Sequence, residues 1–156
     1  MRPVKPWYHG GMAALSMTRD ERERFVADVR IGVLAVASDD GAPIQAPIWY
    51  QYEPGGDILF NTDRDSAKHA ALVAAGRASV CVQREEFPYA YVTIDGPITI
   101  ADATDVERTA IAVRYLGEEL GRGYVSSGDG AAMVAVRIAT ERWRTTDYAK
   151  LDNPVG

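Results

Sequence analysis

The sequence predicts a mainly β (α+β) fold in which six to seven antiparallel strands close into a barrel, with two to three flanking helices. Strand-like apolar runs dominate the 156 residues, and turn signals separate most of them, which favours hairpins over parallel βαβ units. Six or so strands in one small domain usually close into a barrel. With 47% hydrophobic residues and no linker, the chain supports one core. We predict an N-terminal arm at residues 1–17, a barrel domain at 18–150 and a tail at 151–156.

The first half of the chain reads as one helix followed by three strands. Thr18 and Glu21 form a capping box that begins a helix over about 18–29. The apolar face of this helix consists of Phe25, Val26 and Val29. A strand in "IGVLAVAS" and a turn in "DDGA" precede the second strand, "PIQAPIWYQYE". Because Pro47 cannot donate to a ladder, it is predicted at a sheet edge or a bulge. The turn "PGGD" leads into the third strand, 57–62.

The second half adds two helices and three strands. A helix from about residue 66 ends at Gly76, which is expected in the left-handed conformation. The strands "ASVCVQR" and "YAYVTIDGPITIA" follow, joined by "EEFP". Thr104 and Glu107 form a second capping box, which predicts a helix over about 104–116. "AAMVAVRIAT" is the last long strand, and "ERWRTTDYAKL" reads as a polar, aromatic tail.

Composition and motifs argue against several function classes. The chain has 17 Lys+Arg against 22 Asp+Glu, a net charge of −5, so no nucleic-acid partner is expected. The single cysteine, Cys81, excludes an internal disulfide and a zinc site of several thiolates. His9 and His69 are the only imidazoles and have no ligand at metal-site spacing, so we expect no metal site. No apolar run reaches the length of a signal peptide or membrane span, so we expect no membrane partner and a cytoplasmic protein.

The corner "ILFNTDRDSAKHAALVAAG" places four polar side chains at every second position between a strand and a helix. They are Thr62, Arg64, Ser66 and Lys68. The N-terminus of a helix offers unpaired N–H groups and a partial positive charge, to which anions bind. The corner therefore reads as an anion site. In the alternative interpretation, Asp65 or Ser66 caps the helix and the two cations face water.

These motifs, in this order, resemble the pyridoxamine 5′-phosphate oxidase-like flavin-binding split-barrel superfamily. The resemblance covers about residues 18 to 100 and rests on the "DG" turn, the aromatic "WY", the "T-x-x-x-S-x-K" corner and "PY-x-Y-V…G". It implies a split β-barrel homodimer with a flavin or deazaflavin in each of two clefts between the subunits. The corner would hold the cofactor phosphate through Thr62, Ser66 and Lys68. Because Pro47 has no N–H, the backbones of Ala46 and Ile48 would meet the polar edge of the ring.

The resemblance implies a cofactor-binding set drawn from several elements. Its members are Gln45, Ala46, Pro47, Ile48, Trp49, Thr62, Arg64, Ser66, Ala67, Lys68, Gln83, Tyr89 and Trp143. No side chain stands out as a catalytic acid or base. A hydride acceptor would take its proton from water or from a tyrosine such as Tyr89.

Departures from the family pattern narrow the expected function. The oxidases place one arginine in the second strand and another between the Ser and Lys of the corner, where this chain has Gln45 or Ala46, and Ala67. Their arginine-rich ending is also missing, so we do not expect oxidation of vitamin B6. Coenzyme F420 is expected over FMN, because its phosphate diester carries one charge that Lys68 with Arg64 can balance. We therefore predict an F420-dependent oxidoreductase that transfers a hydride to or from a small organic substrate. The alternatives are an FMN-dependent oxidoreductase and a non-catalytic carrier of flavin, deazaflavin or haem.

Overall fold

The structure is a computed structural model that describes residues 12–151. Residues 1–11 of the predicted N-terminal arm, which include His9, lie outside the described residues, as do residues 152–156. Within the described range the chain forms seven strands and four α-helices. The strands are β1 Gly32–Val36, β2 Ile44–Ile48, β3 Ile58–Asp63, β4 Arg77–Arg84, β5 Ala90–Asp102, β6 Met133–Ile138 and β7 Arg142–Asp147. The helices are α1 Arg19–Ala27, α2 Ala67–Ala75, α3 Asp105–Leu116 and α4 Glu118–Ser127. Short 3-10 turns lie at Met12–Leu15, Gly130–Ala132 and Tyr148–Lys150.

The strands form one curled, fully antiparallel sheet, as predicted. The strand order is β2-β1-β4-β5-β6-β3, and β7 pairs with β5. The long strand β5 pairs with β4 and β7 in its first half and with β6 in its second half, so it turns the sheet through the barrel corner. The two ends of the path meet only at Gln51 and Leu59, whose backbones exchange hydrogen bonds of 2.7 and 2.9 Å. The result is a half-barrel that is open along the rest of this seam.

The inner side chains of the strands and of helices α1 and α2 form the core. Its largest fully buried members are Tyr50, Phe60, Leu34, Ile58 and Leu72. Tyr50 is the polar exception among them, and its hydroxyl donates a 2.8 Å hydrogen bond to the carbonyl of Val26. Burial raises the pKa of the Tyr50 phenol, so this group stays a neutral donor.

The predicted helix ends are confirmed with one exception. Both capping boxes form, at Thr18 with Glu21 and at Thr104 with Glu107. Gly76 ends α2 with φ of 64°, in the left-handed region that favours glycine. The predicted apolar face of α1 is wrong at Val29, which is 59% exposed. The reason is that α1 ends at Ala27, so Val29 no longer follows the period of the helix.

Two elements differ from the sequence-based prediction. Part of the expected tail is strand β7, whose Trp143 and Thr145 face inward while Arg142 and Arg144 face outward. No local sequence pattern predicts helix α4, because its glycines lower helix propensity and its stability comes from packing on α3. Pro47, by contrast, lies on the edge strand β2 as predicted. No helix in the described part of the chain is long and apolar enough to cross a membrane.

Candidate functional site

A cleft of about 540 Å³ opens between the β2 edge, the corner from β3 to α2, and the hairpin of α3 and α4. Its volume lies within the usual range for small-molecule sites. Of the predicted site residues, Pro47, Ile48, Trp49 and Lys68 line it. The sequence did not predict the other lining residues, which are Asn61, Asp63, Arg108, Ile111, Ala112, Tyr124, Val125, Ser127, Gly128, Asp129, Ala132 and Met133.

One wall of the cleft is aromatic. The indole of Trp49 stacks on the ring of Tyr115, with ring centroids 5.2 Å apart and an interplanar angle of 7°. Tyr115 is fixed in turn, since its hydroxyl donates a 2.7 Å hydrogen bond to the carbonyl of Arg30. Tyr124 of α4 lies against Trp49 at 5.8 Å and is tilted by 56°. The cleft is thus bordered by a fixed aromatic cluster, of which Trp49 and the tilted ring of Tyr124 line the cleft itself.

The β2 edge has its own pattern of free backbone groups. Pro47 lies opposite Val33 and has no N–H, so this pair is of the non-hydrogen-bonded kind. The flanking residues Ala46 and Ile48 therefore direct their N–H groups into the ladder with β1. The groups that face away from β1 are the N–H and carbonyl of Gln45 and the carbonyl of Pro47. In this register the edge offers the N–H of Gln45 to a ligand, rather than those of Ala46 and Ile48.

The hydroxyls of the corner are engaged within the protein. Ser66 Oγ accepts a 3.1 Å hydrogen bond from the N–H of His69 and donates a 2.7 Å bond to the carbonyl of Asp63. Ser66 thus caps α2, which is one of the two interpretations of this corner. Thr62 is 4% exposed, and its Oγ1 lies 3.3 Å from Ser66 Oγ. Together these two side chains fix the shape of the corner from its inner side.

The cations of the corner separate into two places. Lys68 is half-buried in the cleft and has no hydrogen bond or ion pair with any residue from 12 to 151. Arg64 instead forms an ion pair with Asp102, with 2.5 Å between Nη2 and Oδ1. It lines a neighbouring groove of about 730 Å³. The first-turn N–H groups of Ala67 and Lys68 also lack partners among the described residues. The corner therefore presents one unpaired ammonium group and the N-terminus of a helix side by side, an arrangement that suits an anion.

Two of the polar lining residues that the sequence did not predict, Asn61 and Arg108, bear directly on ligand binding. Asn61 lies between the inward-facing Phe60 and Thr62, so the alternation of β3 was a signal that it faces the cleft. Its Oδ1 is buried and has no hydrogen-bond partner within the described range. Arg108 comes from α3, and no local pattern connects it with the corner. Its side chain is 10% exposed, and Nη2 donates a 3.0 Å hydrogen bond to the carbonyl of Val125.

Three predicted residues lie away from the cleft of the single chain. Gln83 Nε2 donates a 3.1 Å hydrogen bond to Glu85 on the outer face of the sheet. Tyr89 is 54% exposed and packs edge-on against Phe87. Trp143 is half-buried, and its Nε1 donates to a main-chain carbonyl at 3.2 Å. Tyr89 makes no hydrogen bond typical of a general acid or base, and among residues 12–151 neither does any side chain that lines the cleft.

The chemistry of the cleft fits a flat cofactor with an anionic arm. The aromatic wall matches a planar ring, and Lys68 with the start of α2 matches a phosphate. The buried amide oxygen of Asn61 gains a partner only if a donor group of a ligand or water reaches it. The described part of the chain contains no cluster of three or more His, Cys, Asp or Glu side chains able to hold a metal ion.

Comparisons with known proteins agree with this architecture. A conserved hypothetical protein from Mycobacterium tuberculosis, Rv2991, is 26% identical with a TM-score of 0.78, and the match covers 92% of this chain and 93% of that one. An F420 reductase is 19% identical with a TM-score of 0.62, over 78% of this chain and 94% of the reductase. A FAD and haem binding protein from Mycobacterium smegmatis is 18% identical with a TM-score of 0.63, over 86% and 73% of the two chains.

These structural likenesses place the fold among the split barrels, but their low identities leave the cofactor open. A search of curated proteins finds no significant match. The family model for pyridoxamine 5′-phosphate oxidase matches residues 18–147, which is most of the chain. The curled antiparallel sheet, the corner with Lys68 and the matched span lead to one conclusion: the chain belongs to the pyridoxamine 5′-phosphate oxidase family.

Proposed function

We propose that this protein binds coenzyme F420 in the cleft and uses it to transfer a hydride to or from a small organic substrate, with FMN as the alternative cofactor. The observation that carries the proposal is the half-buried ammonium of Lys68, which lacks a partner in residues 12–151 and lies beside the start of α2. A half-buried ammonium that forms no ion pair keeps its charge and its three N–H donors available, so an anion that reaches it gains charge-assisted hydrogen bonds. Family membership and the similarity in fold to an F420 reductase support the same assignment.

The residues of the cleft have separate tasks in this proposal. Lys68 and the free N–H groups of α2 bind the phosphate, while Trp49 and Tyr124 pack against the ring and exclude water. The N–H of Gln45, which lies on the β2 edge beside the cleft rather than in its lining, would provide a donor for the polar edge of the ring. The bound cofactor would supply the atom that accepts or gives the hydride. No acidic or basic side chain among residues 12–151 is arranged for proton transfer in the cleft, so a protonated product would take its proton from water or from the partner subunit.

The outer face of the sheet supports a homodimer. Val33, Cys81 and Thr93 form one row across β1, β4 and β5, next to a row that contains Gln83 and Tyr91. Val33 and Tyr91 are each 36% exposed, which is unusual for large apolar residues in the middle of a sheet. Pro47, opposite Val33, continues this face to the rim of the cleft. A second copy on this face would border the cleft and bring its own Gln83 and Tyr89 toward it, which accounts for their distance from the cleft of one chain.

A haem-binding role has less support. His69 is the one histidine in the described part of the chain, and it does not line the cleft. The described residues therefore offer no histidine that could ligate a haem in the cleft. A sharp Soret absorption of the purified protein, together with no affinity for flavin or deazaflavin, would instead indicate a haem-binding protein.

The cofactor assignment is tested by calorimetric titration of the protein with F420 and with FMN. We expect tighter binding of F420 and turnover of the reduced cofactor with a small organic acceptor. Tenfold tighter binding of FMN than of F420 would overturn the F420 assignment and support the alternative, an FMN-dependent oxidoreductase. If neither cofactor binds, the proposed function is wrong. Binding of F420 without turnover by any acceptor would identify a carrier.

Lys68→Ala tests the phosphate contact. Loss of a charge-assisted contact is worth about 1.5–3 kcal/mol, which corresponds to roughly one to two decades of affinity. Because Lys68 has no partner in the described protein, its removal should leave the thermal unfolding midpoint nearly unchanged. His69→Ala, the neighbour on the same turn of α2, is the matched control and should bind the cofactor as the wild type does. Equal affinities of Lys68→Ala and the wild type would rule out the contact.

A further inference from the structure

We infer that Arg108 is a second cation of the cofactor site and binds the same phosphate as Lys68, an inference that rests on the proposed function. Both side chains line the cleft, Lys68 from α2 and Arg108 from α3. A phosphate between them would lie between two elements that are distant in the sequence. The guanidinium adds planar, directional donors to the point charge of the ammonium.

The surroundings of Arg108 leave much of its charge and hydrogen-bonding capacity available. Its side chain is 10% exposed, whereas its ion-pair partner Asp105 is 88% exposed. The carboxylate of Asp105 is therefore hydrated and compensates the buried guanidinium only weakly. Besides the 2.9 Å bond to Asp105, the guanidinium donates to the carbonyl of Val125 at 3.0 Å. A guanidinium has five N–H donors, so donors remain for a ligand.

The backbone around Arg108 is shaped to admit the guanidinium. A Cβ on Gly130 would overlap Nη1 of Arg108, although Gly130 does not have a positive φ. The absence of a side chain at Gly130 therefore leaves space for the guanidinium in its observed position, and the backbone conformation does not itself call for glycine. The carbonyl of Val125 fixes the opposite side of the group. The side chain is thus held at the wall that the cleft shares with the neighbouring groove.

Arg108 also offers charge where the family pattern has lost it. This chain has Gln45 or Ala46, and Ala67, where the oxidases place arginines. The cleft would otherwise contain one cation, Lys68, against the carboxylates of Asp63 and Asp129. With Arg108 from α3, the cleft again has two cations, although the second comes from a different element than in the oxidases. It can balance the single charge of a phosphate diester or the larger charge of a monoester.

The test compares phosphorylated ligands with phosphate-free counterparts; FMN and riboflavin differ only in the phosphate, whereas the deazaflavin chromophore lacks the phosphate and the acidic tail of F420 together. FMN is paired with riboflavin, and F420 with its deazaflavin chromophore lacking the phosphate, each titrated by calorimetry. Arg108→Ala should weaken the binding of FMN or F420 by about tenfold or more and leave the phosphate-free ligands unchanged. Arg108→Lys should fall between the wild type and Arg108→Ala, because it keeps the charge but loses the planar donors. Arg24→Ala, an exposed arginine on α1, is the control and should bind all four ligands as the wild type does.

Gly130→Ala provides an independent variant that displaces the guanidinium without removing it. Since the overlap is with the end of a flexible side chain, we expect the fold to persist and phosphate-dependent affinity to fall. Equal weakening of phosphorylated and phosphate-free ligands by Arg108→Ala would show a structural role and overturn the inference. Unchanged affinity in both Arg108→Ala and Gly130→Ala would also overturn it. If the wild type binds none of the four ligands, the proposed function itself fails, and the inference with it.

Discussion

At the scale of single residues, Asp95 is the carboxylate with the densest set of charged contacts described. Arg142 donates to its Oδ2 at 2.7 and 2.9 Å, and Arg144 donates to its Oδ1 at 2.8 Å. Arg77 lies 3.7 Å away and is shared with Glu141. Burial by itself would raise the pKa of Asp95, but the hydrogen bonds from Arg142 and Arg144 outweigh it and lower the pKa. Asp95 thus ties β7 to β5 through charge as well as through the ladder.

We expect the stability of the protein to depend on the ionisation of Asp95. A carboxyl whose pKa is lower in the folded state stabilises the fold above its unfolded pKa of about 3.9, and this contribution is lost as the pH falls through the folded value. Asp95→Asn should therefore lower the free energy of unfolding at neutral pH by about 1 kcal/mol or more. It should also flatten the decline of stability below about pH 4.

Urea denaturation at several pH values measures this effect. Asp39→Asn, an exposed aspartate in the turn between β1 and β2, serves as the control and should keep the slope of the wild type. A slope for Asp95→Asn that matches the wild type would mean that its arginine contacts do not persist in solution.

The predictability of site residues depended on whether their signal was local. Lys68 and Trp49 could be assigned from the corner and strand motifs, because their neighbours in sequence are also their neighbours in space. Arg108 could not, because α3 reaches the cleft only through tertiary packing across many intervening residues. Charge counting from the sequence therefore omitted one cation. The direction of the Ala46 and Ile48 N–H groups depends on the register against β1, which no sequence motif determines.

At the scale of elements, α4 determines the outer wall of the cleft. It follows α3 directly at Gly117 and contributes Tyr124, Val125 and Ser127 to the cleft. Gly121 is the buried contact point of the helix pair. A Cβ at Gly121 would lie 2.6 Å from the backbone nitrogen of Val113, which cannot move independently of α3. Gly121 therefore permits the close approach of the two helices.

Gly121→Ala should separate α4 from α3. Forcing a side chain into a packed contact costs about 1–3 kcal/mol of stability, and the displaced Tyr124 should also weaken cofactor binding. Gly123→Ala is the matched control two residues away, where a Cβ would meet nothing within 4 Å. It should be neutral or raise stability by about 0.5–1 kcal/mol through helix propensity. Chemical denaturation and cofactor titration measure both effects, and identical behaviour of the two variants would contradict the described packing.

The elements that the sequence predicted well are those whose signals lie at their own ends. Capping boxes begin α1 and α3, and Gly76 ends α2, so these helix ends could be located from motifs of a few consecutive residues. Helix α4 has the opposite character, since Gly121 and Gly123 disfavour an isolated helix and only contact with α3 compensates for them. Strand β7 was concealed by Arg142 and Arg144, whose charges obscured the alternation that its partner β5 imposes.

At the scale of the whole molecule, association through the outer sheet face should govern both stability and cofactor binding. We expect a dimer by light scattering, and Val33→Lys should convert it to a monomer because it places a charge in the middle of that face. Val106→Lys on α3 is the control, since Val106 is 79% exposed. A cofactor held between subunits adds about 2.7 kcal/mol to stability at a hundredfold excess over Kd. A monomeric wild type that binds the cofactor normally would contradict an interfacial site.

The stack of Trp49 on Tyr115 gives the molecule a built-in optical reporter. The chain has three tryptophans, and of the two among the described residues, Trp49 lines the cleft and Trp143 does not. Its indole is held rigidly at the rim, so its emission should respond to whatever occupies the cleft, and flavin and deazaflavin rings absorb light that indoles emit. In the double variant Trp7→Phe and Trp143→Phe, the remaining tryptophan fluorescence comes from Trp49 alone. Quenching of that signal would then follow the arrival and departure of the ring in real time, without a label and in either redox state.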